Sequence, residues 1–193
     1  MPQIIHTEKL LKKILSQRIM VMDGAMGTMI QQHQLTEEDY RGGPKGEFQS
    51  FQAPAGEREL FLKGNNELLS ITQPKIIQQI HEDYLAAGAD IIETNTFGAN
   101  TVAQEDYCMP HLARQMNLAS VKLAKAAAKK FHSDEKPRFV AGAVGPTPKT
   151  ASISPDVNDP GARNITFSQL VKTYTEATRA LLEWRPSAAW TPV

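Results

Sequence analysis

Cysteine is almost missing from this sequence: Cys108 is the single one in 193 residues. An internal disulfide framework is therefore excluded, and a cytoplasmic setting is expected. Excess charge of one sign is missing too. Lys and Arg total 21, Asp and Glu total 21, and the formal net charge is 0. With no basic block among them, no nucleic-acid partner is expected. No apolar run approaches the roughly 20 residues that span a bilayer, so no membrane association is expected. The opening MPQIIHTEKLLKKILSQRI lacks the apolar stretch of a signal peptide, and Glu8 interrupts the basic face that a mitochondrial presequence needs. It reads as an amphipathic surface helix. There is no internal repeat and no phosphate loop: DGAMGT matches neither G-x-x-x-x-G-K-[ST] nor G-x-G-x-x-G. His33, His81, His111 and His132 form no metal-spaced pair. Each reads as solvated or core, with His81 on a helix surface.

What is present is ordinary globular composition, 41% hydrophobic and 22% charged, as for one packed domain. Three apolar runs have strand length: RIMVMDG (residues 18–24), ADIIETNT (89–96) and RFVAGAVGP (138–146). Each is apolar on both faces, as in a parallel strand covered by helices. Helical patterns lie between and after them. Residues 74–87 carry Ile76, Ile77, Ile80, Tyr84 and Leu85 at helical spacing, with Thr72 as cap, Pro74 in the first turn and Gly88 as stop. Residues 110–131 place Leu112, Met116, Ala119, Leu123 and Ala126 on one side, and residues 167–183 start from a capping-box spacing, Thr166 to Gln169. The alternation predicts an α/β fold with parallel strands. The long connections, 25–73 and 147–165, both follow strands, so the strands' C-terminal ends are the expected functional face. Within them, residues 41–57 read as a mobile loop and 145–166 as a structured or lid-like one.

All three strands end in polar groups: Asp23-Gly24, then Glu93-Thr94-Asn95, then Gly145-Pro146-Thr147. Two carboxylates at neighbouring strand ends could hold an ammonium, act as acid and base, or bind a metal. Gly24 and Gly27 would let main-chain N–H groups approach a bound carboxylate. Asp23 could equally be a turn residue. Glu93 directly follows Ile91 and Ile92, where burial without a partner is costly, so a ligand or a structural ion pair is required.

Five stretches, VMDGAMGTMIQ, LKGNNELLSITQP, AGADIIETNTFGAN, VAGAVGPTPKTASISPDVNDP and RNITF, occur in this order. Together they closely resemble the N-terminal homocysteine-binding module of cobalamin-dependent methionine synthases, within the homocysteine S-methyltransferase family. The resemblance runs from about residue 18 to residue 183. It implies a (β/α)8 barrel, of which this chain would supply about three β/α units. It implies a methyl transfer from methylcobalamin, recharged by methyltetrahydrofolate, to zinc-activated homocysteine thiolate, giving methionine. Zinc coordination would deprotonate a thiol whose ordinary pKa is ~8.5. Asp23 and Gly24 match the first-strand turn that holds the amino acid. Glu93 matches the acid that pairs with its ammonium, and Thr94 and Asn95 sit at the same rim. Ala25 stands where many relatives have a second glycine. A betaine-type homocysteine methyltransferase is the alternative within the family. The folate, cobalamin and reactivation modules of methionine synthase are the implied partners.

The resemblance ends after residue 183. Residues 1–17 read as a helical extension, 18–183 as a partial homocysteine-binding barrel, and 184–193, WRPSAAWTPV, as an aberrant tail of the kind a shifted frame or mis-spliced exon produces. The family's three zinc cysteines would lie beyond this point, and Cys108 matches none of them. The expectation is a chain that binds no catalytic zinc or cobalamin alone, is inactive by itself, and is at most a non-catalytic homocysteine binder. Unpaired strand edges predict poor solubility or oligomerisation.

Overall fold

The structure is a computed structural model, and it describes residues 2–54 and 59–183. The tail assigned to 184–193 lies outside the described residues. Helix α1 spans Pro2–Leu15, as expected for the N-terminal segment. Then come α2 (Met26–Gln32), α3 (Glu37–Tyr40), α4 (Leu69–Thr72) and α5 (Pro74–Ala87). Strand β1 (Ile91–Glu93), α6 (Ala113–Phe131), β2 (Phe139–Ala141) and α7 (Phe167–Glu183) complete the order. The fold is mixed α/β.

The strands are parallel, as predicted, but far shorter. Ile91 pairs with Phe139, Ile92 with Val140 and Glu93 with Ala141. The run at 18–24 contributes one parallel bridge, Met22 to Ile91. Its order comes from Asp90 instead. That buried carboxylate accepts two hydrogen bonds from the Arg18 guanidinium and one from the Val21 N–H. Arg18 holds the Asp90 carboxyl below the usual range against the opposing effect of burial.

Helix ends follow local chemistry. Gly88 stops α5 with φ 116°, a left-handed conformation that favours glycine. Thr72 does not cap α5, because its hydroxyl donates to the Leu68 carbonyl; Pro74 starts the helix without a side-chain cap. Thr166 and Gln169 do form the reciprocal capping box. The buried face of α6 differs from the expected stripe. Ala113, Met116, Asn117, Ser120, Val121, Ala124, Ala127 and Ala128 are inward, while Ala126 is exposed. Small side chains let α5 and the sheet come close, so alanine positions outrank leucine ones there.

Two clusters form the core. One packs Leu85, Ala89 and Ile92 on Ala124, Ala127 and Ala128, joining sheet to helices. The larger gathers Ile30, Tyr40, Phe48, Leu60, Leu62, Leu68, Leu69, Ile77, Ile80, Met109 and Met116. Connection 25–73 therefore supplies Ile30, Tyr40, Phe48, Leu60, Leu62, Leu68 and Leu69 to this core, while most of its described residues stay exposed or half-buried. Within it, Arg41 pairs with Glu37 and donates to the carbonyls of Phe48, Phe51 and Leu60. The described part of the presumed mobile loop is thus tied down. His81 is also corrected: it is fully buried, and neither ring nitrogen has a hydrogen-bond partner. Burial lowers its pKa from 6.5 to about 4, so the ring is neutral.

Among the described residues no helix is long and apolar enough to cross a membrane.

Candidate functional site

A cleft of about 540 Å³ opens at the C-terminal ends of the parallel segments. It is lined by Asp23, Gly24, Glu93, Thr94 and Asn95, the five residues singled out from the sequence. The structure therefore brings all of them together. Asn66, Glu67, Phe97, Met22, Met26 and Ala143 join the lining and were not foreseen as site residues.

Asp23 and Glu93 are linked through the main chain. The Asp23 N–H donates to the Ile91 carbonyl at 2.9 Å, and Asp23 Oδ2 accepts the Glu93 N–H at 3.0 Å. The carboxylate thus continues a strand pairing that the backbone has stopped making. Burial raises the Asp23 pKa from 3.8 to about 6; the Glu93 N–H opposes this and the Glu93 charge adds to it. Glu93 is exposed in the cleft, so the partner that burial would have required is not called for.

Thr94, Asn95 and Thr96 are buried, and their polar groups are largely satisfied within the protein. The Thr96 hydroxyl donates to the Ala143 carbonyl at 2.7 Å. Its one hydrogen being used, the 2.6 Å contact between the two hydroxyls must be donated by Thr94. Thr94 Oγ1 in turn accepts the Ala143 N–H. Asn95 Nδ2 donates to the Asn66 carbonyl and to Ser70 Oγ. These three residues shape the rim, whereas Asp23 and Glu93 present charge to it.

Gly24 serves packing as well as lining. A Cβ there would lie 3.2 Å from the Tyr84 hydroxyl, tighter than most real contacts. Gly27 lies within α2 and also lines the cleft.

Glu67 was missed because its contact is distant in sequence. Its Oε1 accepts the Gly98 N–H at 2.8 Å, and burial raises its pKa. The cleft thus carries three carboxylates and no Lys, Arg or His among its lining residues. Such a site favours a cation. Met22, Met26 and the exposed ring of Phe97 give it an apolar side.

The zinc implied by the resemblance finds no fit. Among the described residues no group of three or more His, Cys, Asp or Glu could hold a metal ion. Cys108 packs against the larger core cluster and does not line the cleft.

The acid-lined cleft thus lies at the carboxyl ends of parallel segments in a mixed α/β fold. The family model for homocysteine S-methyltransferase matches residues 20–189, and the chain belongs to that family. Among solved structures it is similar to the homocysteine methyltransferase MmuM from Escherichia coli in its metallated form, with 19% identity and a TM-score of 0.61. The match covers 90% of this chain and 53% of that one. The oxidized form of the same enzyme matches with 19% identity and a TM-score of 0.62, over 90% of this chain and 52% of that one. The chain spans about half the length of these relatives.

Proposed function

We propose that this chain binds homocysteine in the cleft, as the amino-acid-binding part of a methionine-forming methyltransferase. The observation that carries the reading is the lining: Asp23, Glu67 and Glu93 with no basic side chain, beside Met22, Met26 and Phe97. The substrate ammonium sits with Glu93 and Asp23, where a cation removes the cost of crowding carboxylates. Sulfur and methylene groups pack on the methionine and phenylalanine side, where sulfur–aromatic contacts are favourable.

Methyl transfer would form a bond from the homocysteine sulfur to a donor methyl, break the bond between that methyl and the donor, which departs with the bonding pair, and release the thiol proton to solvent. The described residues do not fit zinc, so the role assigned to this chain is binding and orientation. The cobalamin-dependent branch, with folate and cobalamin modules as partners, is favoured over a betaine-type enzyme by the KGNN, TASISPDVNDP and RNITF stretches. A partial (β/α)8 barrel over residues 18–183 is supported by the parallel register and by helices packed against the sheet.

Calorimetric titration tests the reading. L-homocysteine is expected to bind, and 4-mercaptobutyrate, which lacks the amino group, is expected to bind at least ~10-fold more weakly, as loss of a charge pair requires. Glu93→Gln should weaken homocysteine to a similar extent. Equal binding of the two ligands would overturn the proposal.

A further inference from the structure

We infer that Glu67 is a positioning residue of this cleft: its carboxylate clamps the loop after β1 at Gly98 and so fixes the rim that receives the amino acid. The inference rests on the homocysteine reading above.

Glu67 sits in a single tight turn, Asn66–Leu68, anchored by the fully buried Leu68 and Leu69. Two successive residues of that turn grip two points of one loop. The Asn66 carbonyl accepts Asn95 Nδ2 at 2.7 Å, and Glu67 Oε1 accepts the Gly98 N–H at 2.8 Å. The same loop is held on its other side by the segment after β2. Thr96 donates to the Ala143 carbonyl, and the Gly145 N–H donates to the Phe97 carbonyl at 3.1 Å. Residues 95–98 are therefore clamped from two directions, directly after Glu93.

Glycine at 98 lets the carboxylate come close, and a side chain there would push it back by a few tenths of an ångström. A Cβ there would lie 3.1 Å from Glu67 Oε1 and 3.3 Å from its Cδ. Burial raises the Glu67 pKa, and the bond from the Gly98 N–H opposes that rise. Tethering by side chain rather than by sheet suits this place, because β1 ends at Glu93 and no ladder continues to Gly98.

Four forms of the full 193-residue chain are compared: wild type, Glu67→Ala, Glu67→Gln and Gly98→Ala. The readouts are homocysteine affinity by calorimetry, amide exchange at residue 98 and thermal unfolding. Gln keeps the acceptor, so E67Q should hold amide protection and stay within ~3-fold of wild-type affinity, while E67A should lose protection and at least ~10-fold in affinity. G98A disturbs the same bond with Glu67 present, so it should weaken homocysteine even if E67A fails to fold. Equal losses in E67Q and E67A would show that Glu67 acts by charge on the ligand and overturn the positioning role. Unchanged affinity in E67A or in G98A would overturn it as well. Absence of homocysteine binding by the wild type would remove the functional reading and this inference with it. Wild-type binding with indifferent variants removes the inference alone.

Discussion

Asp23 Oδ2 accepts the main-chain N–H of Glu93 at 3.0 Å, so one acid of the cleft is positioned by the backbone of the other. Burial raises the Asp23 pKa to about 6 from 3.8. The sign of the consequence follows from proton counts. Between pH 3.8 and about 6 the folded chain keeps a proton that the unfolded chain has released. Stability therefore falls as pH rises through that window, and the penalty is complete above it. Asp23→Asn keeps an oxygen for the Glu93 N–H and carries no charge. It should unfold at higher temperature than wild type at pH 7.5, with the difference vanishing near pH 4. A wild-type advantage at pH 7.5 would refute the burial assignment.

The same group sets the pH dependence of binding. An ammonium ligand needs Asp23 ionised, so homocysteine affinity should fall as pH drops through about 6. In Asp23→Asn the affinity is lower at pH 7.5 and this inflection is lost. Titrations from pH 5 to pH 8 in both proteins check it. An inflection that persists in the variant would assign it to another group.

His81 acts in the opposite direction. Its folded pKa of about 4 lies below the ordinary 6.5, so the unfolded chain binds more protons between those values. Stability contributed by the neutral ring is present above pH 6.5 and lost as pH falls toward 4. Leu has a similar bulk and removes the two unpartnered nitrogens. His81→Leu should match or exceed wild-type stability at pH 7.5 and exceed it by roughly 2 kcal/mol near pH 4.5. Urea unfolding at the two pH values measures both terms. A variant less stable at both would mean that the ring's packing outweighs its buried nitrogens.

His81 also shows where sequence reading stops. The apolar stripe of α5, Ile76, Ile77, Ile80, Tyr84 and Leu85, runs beside it, so periodicity assigns the ring to the surface. The helix is instead covered on more than one side, by α2, α4 and α6. Ends written in local chemistry were legible: Pro74 and Gly88 bound α5, and Thr166 with Gln169 starts α7. Strand ends were not, since Met22 and Ile91 pair only through tertiary contact. The cleft was legible at Asp23 and Glu93 because charge directly after an apolar strand stands out. Glu67 was not, because its partner Gly98 lies 31 positions away. Thr94 and Asn95 were read as rim residues beside the substrate, and their side chains mostly bind other parts of the protein.

Arg41 is the main tie within the segment that follows α3. Its guanidinium bonds Glu37 and three carbonyls, those of Phe48, Phe51 and Leu60. Arg41→Ala leaves these acceptors without their donor, and Phe48 and Leu60 belong to the larger core cluster. The expected loss is about 2–4 kcal/mol, since hydrogen bonds from a charged donor outweigh neutral ones. Arg41→Lys should recover only part, because an ammonium lacks the planar fork. Limited proteolysis should cut first within residues 41–60 in the alanine variant. Unchanged cleavage and unfolding would show that the apolar contacts hold this segment unaided.

Gly145 joins the loop after β2 to the cleft rim. Its N–H donates to the Phe97 carbonyl at 3.1 Å, and a Cβ at 145 would collide first with that carbonyl oxygen and then, at 2.7 Å, with Phe97 Cγ. Real Cβ contacts are not that short, and one of these is to main chain, so Gly145→Ala must separate the two loops as well as move the Phe97 ring. The expected cost is about 1–3 kcal/mol, as for other overpacked sites. Homocysteine should bind more weakly, because Phe97 lines the apolar side of the cleft. Phe97→Ala removes the ring but not the carbonyl, so it should relieve only the side-chain part of the strain, and the double variant should be somewhat less destabilised than the sum of the two single ones. Strict additivity would show that the ring takes no part in the strain and leave the whole Gly145 effect on the main-chain contact.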